Sequence, residues 1–210
     1  MTVTDITVAL MSEAVITSIF GMSRWEPNAR GRLEEAALEL YSERGFDQTT
    51  VAEIAERAGL TERTFFRHFA DKREVLFGGE GMLDELVTGA VAGAAESVGP
   101  IDAVAEGLAA IGEFFRGCRE HARRRQAVIA ANPELQEREL IKLSRLAAAT
   151  AEVLRRRGVP EPAASLTAEA AIAVFKVAFD RWIADRAGRP LSVVIAESID
   201  ELKAVAGGRH

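Results

Sequence analysis

Apolar residues recur along this chain at helical spacing in segment after segment, and alternating runs of β-branched residues are almost absent. Leu33, Ala36, Ala37, Leu40 and Tyr41 share one stripe and predict a first helix over 27–44, ended by Gly45, with Phe46 plugging the core beneath it. Val51, Ile54, Ala55 and Ala58 predict a short second helix; Phe65 and Phe69 mark the inner face of a third. Thr50-Val51-Ala52-Glu53 has the form of a capping box, Gly59 supplies the left-handed residue that stops the second helix, and Thr61 suits the N-cap of the third. A fourth helix is expected from Asp71, carrying Val75, Leu76, Met82, Leu83, Leu86 and Ala90, with Gly78, Gly79 and Gly81 inside it. Further helices are expected over 101–119, over 132–157, over 163–186 and over 191–205. The fold class is all-α. Helix, tight glycine turn, helix over 50–69 is the layout of a helix-turn-helix, whose second helix enters the major groove of DNA.

The residues that fill this layout are specific. Ala36-Ala37 through Gly45-Phe46, Thr49-Thr50-Val51, Ile54-Ala55, Ala58-Gly59-Leu60, Thr64, Phe65-Phe66, His68-Phe69 and Lys72 together resemble the DNA-binding domain of the TetR (tetracycline repressor) family, over residues 28–77. The resemblance implies an N-terminal three-helix DNA-binding domain (24–77) and a C-terminal helical effector-binding and dimerisation domain (78–210). It implies a homodimer on double-stranded, palindromic operator DNA, acting as a repressor that a small-molecule effector releases. Carried over by position, Thr50 would bond a phosphate from the first helix of the motif, and His68 and Lys72 would hold phosphates across the groove. Thr61, Arg63 and Thr64 would sit at base edges, with Arg63 the best candidate for a guanine O6/N7 pair. The family usually has tyrosine where this chain has Phe66, so a phosphate-reaching hydroxyl is missing; Arg67 is the expected substitute, and Phe66 is left for a sugar or a thymine methyl. Glu62 would repel phosphate and is left to read a cytosine amino group or point away.

Charge sharpens this picture. The 210-residue chain carries a formal net charge of −6, which is unfavourable for a DNA binder. The stretch 57–73 nevertheless carries Arg57, Arg63, Arg67, Lys72 and Arg73 against Glu62 and Asp71 only. The local field and not the net charge governs phosphate contact. A single cysteine, Cys118, excludes an intrachain disulfide and suits a reducing, cytoplasmic location. Residues 1–23 form an apolar extension interrupted by Asp5 and Glu13, a poor signal peptide and too broken to span a membrane. Translation from Met22 is the expectation there, with an extra amphipathic helix as the rival. Arg24 and Arg30, at the entry to the first helix, are candidates for a phosphate or minor-groove contact.

In the second half, Phe114, Cys118, His121, Phe175, Phe179 and Trp182 are candidate lining residues of an effector pocket, with core packing the simpler reading of each. The last two helices are too apolar for one buried face each, and the family dimerises through its last two. Ile172, Ile183, Leu191, Val194, Ile195, Ile199 and Leu202 are therefore the candidate interface. No nucleophile elbow, phosphate-binding loop or dinucleotide fingerprint is present, so no catalytic residue and no cofactor is expected. Cys118 and His121 have ligand-like spacing without a second pair, so no metal is expected either. Two other readings remain open at this level: a helical protein-interaction module that keeps the motif as a scaffold, and a ligand-dependent activator.

Overall fold

The computed structural model describes residues 29–208, and among these the secondary structure is helical throughout. The extension, Met22, Arg24 and the expected start of the first helix at Pro27 lie outside the described residues. The chain divides into two compact units. One comprises residues 29–79 with Arg123–Arg138, the other Glu80–Ala122 with residues 139–208.

In the first unit, α1 (Ala29–Arg44) buries Leu33, Ala36, Ala37, Leu38, Leu40 and Tyr41, and Gly45 ends it at a φ of 89°. Phe46 is buried against the Tyr41 ring, with centroids 5.2 Å apart and edge to face. Helix α2 (Val51–Arg57) starts at the expected capping box. Thr50 Oγ1 accepts the Glu53 N–H at 3.2 Å, and Glu53 Oε2 accepts the Thr50 N–H at 2.9 Å. It stops in a Schellman turn: Gly59 N donates to Glu56 O at 2.9 Å and Leu60 N to Ala55 O at 2.8 Å, with Gly59 at a φ of 64°. A Cβ at Gly59 would also meet the Arg32 guanidinium 2.6 Å away, and Arg32 bonds the carbonyl of Ala58. Helix α3 (Glu62–His68) is capped by Thr61, whose hydroxyl accepts the Thr64 N–H at 3.2 Å.

The fourth helix departs from expectation. Asp71 does cap the chain, its Oδ1 accepting N–H bonds from Arg73 and Glu74 at 2.8 and 3.2 Å. It leads into a single 3-10 turn, Glu74–Phe77, and α4 proper is Glu80–Gly93. Gly78 and Gly79 lie between them, where two residues of the poorest helix propensity after proline interrupt the run. The first core is completed from far along the sequence by Val128, Ile129 and Leu135.

In the second unit, α5 (Pro100–Phe114) buries Val104, Leu108 and Ile111 along one side. It ends five residues earlier than the pattern implies, at a turn through Gly117 with a φ of 79°. Helix α6 (Arg119–Ala130) then begins and runs from the second unit into the first. It has no counterpart in the hydrophobic pattern, because its charged REHARRRQ stretch is held by arginines bonding carbonyls. Arg119 donates to Asp185 O and Arg189 O, both at 2.6 Å, and lies over the Trp182 ring at 5.2 Å. Arg125 donates to Leu76 O at 2.7 Å and lies over Phe77 at 5.0 Å. The arginines that look like a charged cluster in sequence are thus in part staples. Helix α7 (Pro133–Arg156) returns to the second unit, and α8 (Ala163–Ala184) and α9 (Leu191–Ala206) form an apolar hairpin close to the expected bounds. Helix α9 packs closely on α5: a Cβ on Gly112 would fall 2.6 Å from the Cα of Ser192.

The candidate dimer residues resolve within one chain. Leu191, Val194, Ile195 and Ile199 of α9 are between 0% and 3% exposed, and Ile172 of α8 is 8% exposed. Ile183 and Leu202 are half-buried against the same core. The five buried side chains belong to the protomer's own core and have no surface to offer a second copy. The exposed apolar groups of these helices are others: Leu166 at 65%, Val177 at 53%, Val193 at 43% and Val205 at 63%.

Candidate nucleic-acid interface

Helix α3 is the element that sets the interface. Phe65, 0% exposed, pins its inner side, packed on Phe69 with ring centroids 5.5 Å apart. Rotation about that anchor leaves Thr61, Glu62, Arg63, Phe66 and Arg67 on the exposed side. Neither Arg63 nor Glu62 has a hydrogen-bond or ion-pair partner among the described residues. Thr64 is half-buried, its hydroxyl 3.1 Å from that of Thr61, so this pair serves the cap first.

The cations counted along the motif are not equivalent. Arg57 makes a fork to Glu43, at 3.1 and 3.0 Å, and reaches Glu39 at 3.1 Å; its charge is neutralised by α1. Arg73 is held by Asp71 at 2.7 Å. The Lys72 ammonium donates to the carbonyls of Phe46, Thr49 and Asp47 at 2.9, 3.1 and 3.4 Å and sits 4.3 Å from the centre of the Phe46 ring. All three of its protons are thereby engaged in tying the turn after α1, while its charge stays uncompensated by any carboxylate in these contacts. Tyr41 Oη completes the tie by donating to Lys72 O at 2.6 Å, and burial pushes that phenol well above its ordinary range. Arg63 and Arg67 are left as the cations on the exposed face of α3. Arg30 is engaged by Glu34 at 3.1 Å, Gly78 O at 2.6 Å and the face of Phe69 at 5.1 Å.

Thr50 is exposed, but its hydroxyl donates to Glu53 Oε2 at 2.9 Å. The backbone N–H of Thr50, followed by its hydroxyl, holds the Glu53 carboxyl below the usual carboxylate range. His68 ends α3, half-buried, with the Arg67 guanidinium 3.5 Å from its Nε2. Burial first, then the charges of Arg67 and Arg30, lower its pKa from the ordinary 6.5, so the imidazole is neutral in the free protein at neutral pH. A phosphate placed against it would reverse that balance and favour the imidazolium. Proton uptake on binding requires affinity to rise as pH falls. Operator affinity measured from about pH 7.5 down to about pH 6, the range around the ordinary imidazole value, is expected to increase, and His68→Gln is expected to flatten the profile.

The second unit gathers part of the candidate effector set. Phe175, Phe179 and Trp182 form one aromatic cluster, with centroids 5.7 Å apart for the first pair and 5.5 Å for the second. Phe115 joins it at 5.5 Å from Phe179 and 5.9 Å from Trp182, and Phe114 stands edge to face with Phe115 at 5.4 Å. Phe115, not named among the candidates, could have been found from its spacing, since it follows Ile111 by four positions on the buried side. Cys118 is buried, its thiol 3.6 Å from Arg116 O and pushed up by burial, and His121 is half-buried near the start of α6. Thr150 of α7 carries no signal in the sequence. It is 1% exposed, and its Oγ1 has no hydrogen-bond partner among the described residues.

A capped helix-turn-helix with an exposed recognition face, followed by a separate helical unit, is the layout of a DNA-binding transcriptional regulator. Residues 33–77 match the family model described as bacterial regulatory proteins, tetR family, and residues 98–207, about half of the chain, match the MftR C-terminal domain. The chain belongs to the TetR family of transcriptional regulators. Among curated relatives, it is 30% identical over 112 residues to the regulator MftR of Mycobacterium tuberculosis, which is 50% of this chain and 52% of that protein. It is 42% identical over 60 residues to the HTH-type transcriptional repressor KstR2 of Mycobacterium tuberculosis, 29% of this chain and 26% of that one. These matches therefore span about half or less of the relatives' own length. In fold, the chain is similar to the transcriptional regulator FadR of Bacillus subtilis, solved in complex with stearoyl-CoA. The TM-score is 0.60 at 18% identity, covering 81% of this chain and 96% of that one. Among the described residues no helix is long and apolar enough to cross a membrane.

Proposed function

We propose that this regulator is a cytoplasmic repressor that binds a palindromic operator as a homodimer and leaves it when a small molecule occupies the second unit. The observation that carries the reading is the exposed face of α3, where Arg63 stands without a partner among the described residues on a helix locked by Thr61 and Phe65. Two such helices, related by a dimer axis, fit successive major grooves one helical turn apart. Thr50, His68 and Arg67 suit phosphate contacts; Lys72 contributes its charge from a position fixed by three carbonyls of the loop after α1. The two-fold is supplied by the apolar groups that α8 and α9 leave exposed. Leu166, Ala173, Val177 and Ala184 recur at helical spacing along α8, with Val193 and Ala196 on α9. The effector reading draws on the aromatic cluster and on Thr150, a buried hydroxyl the core leaves unused. An apolar or aromatic ligand with one polar group matches that combination.

Fluorescence anisotropy on the chain's own upstream DNA at two salt concentrations tests this. Tight, salt-sensitive binding is expected, and Arg63→Ala is expected to cost about 1–3 kcal/mol and relax one operator position. Uniform weakening across all sequences would assign Arg63 to phosphate instead.

A further inference from the structure

Phe66 is the apolar exception on the recognition face. Its ring is 56% exposed, while its exposed neighbours on α3, Glu62, Arg63 and Arg67, are all charged. Glu62 and Arg63 precede it by four and three positions, so Phe66 lies on the same side of the helix as the candidate base readers. The ring does not drift there: it stands edge-on to Phe65, with centroids 5.4 Å apart and an interplanar angle of 80°, and Phe65 is fully buried. A phenyl ring can neither donate to nor accept from a phosphate. Among the groups that base pairs present in the major groove, the one apolar feature is the thymine C5-methyl.

We propose that Phe66 packs on a thymine methyl and so specifies thymine at one position of each operator half-site. The inference rests on the DNA-binding reading above and adds the base that this side chain selects. The test starts from an operator chosen by the full-length protein out of a pool of random-sequence duplexes. Each thymine of the selected duplex is replaced in turn by deoxyuridine, which removes the methyl group and leaves the pairing edge unchanged. At one thymine per half-site the affinity is expected to fall about fourfold, the value of one buried methyl-sized group. Phe66→Ala, with folding checked by circular dichroism, is expected to bind thymine and deoxyuridine duplexes equally at that position. Phe66→Tyr is expected to keep the methyl preference. The proposal is overturned if no thymine is sensitive to the replacement, which would place the ring on the sugar-phosphate backbone. It is equally overturned if Phe66→Ala retains the full sensitivity, since another side chain would then be reading the methyl. A wild-type protein that selects no sequence fails at the first step, before any deoxyuridine is introduced, and removes the DNA-binding reading together with this one.

Discussion

Replacing Val177 with glutamate is expected to convert the proposed dimer to a folded monomer and to lower operator affinity about 100-fold or more, as the second half-site contact is lost. Val177 is 53% exposed at the middle of α8, so the substitution buries no charge within the protomer and leaves its core intact. In a symmetric four-helix interface, however, the position meets its own copy or a near neighbour, and two carboxylates would be desolvated against apolar groups. Light scattering coupled to gel filtration reads the oligomeric state, and anisotropy on the operator reads the consequence. Leu140→Glu is the control: Leu140 on α7 is 56% exposed, yet lies outside the α8–α9 hairpin, and the variant is expected to remain dimeric. A Val177→Glu protein that stays dimeric with unchanged affinity would move the interface away from α8.

Lys72→Ala separates two roles that one lysine can have in this family's motif. The ammonium is bonded to three carbonyls in the loop after α1 and stacked on Phe46. Truncation leaves those carbonyls without their charged donor and removes the cation from the ring face. The expected cost is about 2–3 kcal/mol of stability, on the scale of hydrogen bonds to a charged group plus a cation–π contact. Thermal unfolding without DNA is the deciding measurement. A clear drop in Tm assigns Lys72 to the fold of the reading head. An unchanged Tm, with the salt dependence of operator binding reduced by about one counterion, would assign it to phosphate.

Local signals explain why the motif was legible. The Thr50–Glu53 box, the Gly59 turn and the Thr61 cap each involve groups within about five positions of one another, and a backbone bond over that span leaves a fixed mark in the residue order. The same holds for the one-face stripe of α1. Helix α6 left no such mark, because its ties join Arg119 to carbonyls 66 and 70 positions away and Arg125 to one 49 positions away. An arginine that will bond a distant carbonyl has the same sequence appearance as one that will face water.

By itself, then, the order of residues determined that this is an all-helical TetR-family regulator with a reading helix over Glu62–His68, since caps, turns and helical periodicity are short-range. The tertiary structure alone decided which charges are available and which apolar face is free. Arg57 is neutralised by carboxylates 14 and 18 positions away, and Lys72 is tied to carbonyls 23 to 26 positions away, which fixes its ammonium while leaving its charge in place. Periodicity shows that α9 has a buried side. It cannot show whether the burying surface belongs to the same chain or to a second copy, because both present the same apolar environment. Leu191, Val194, Ile195 and Ile199 turned out to face their own core, and Leu166, Val177 and Val193 were left outside it.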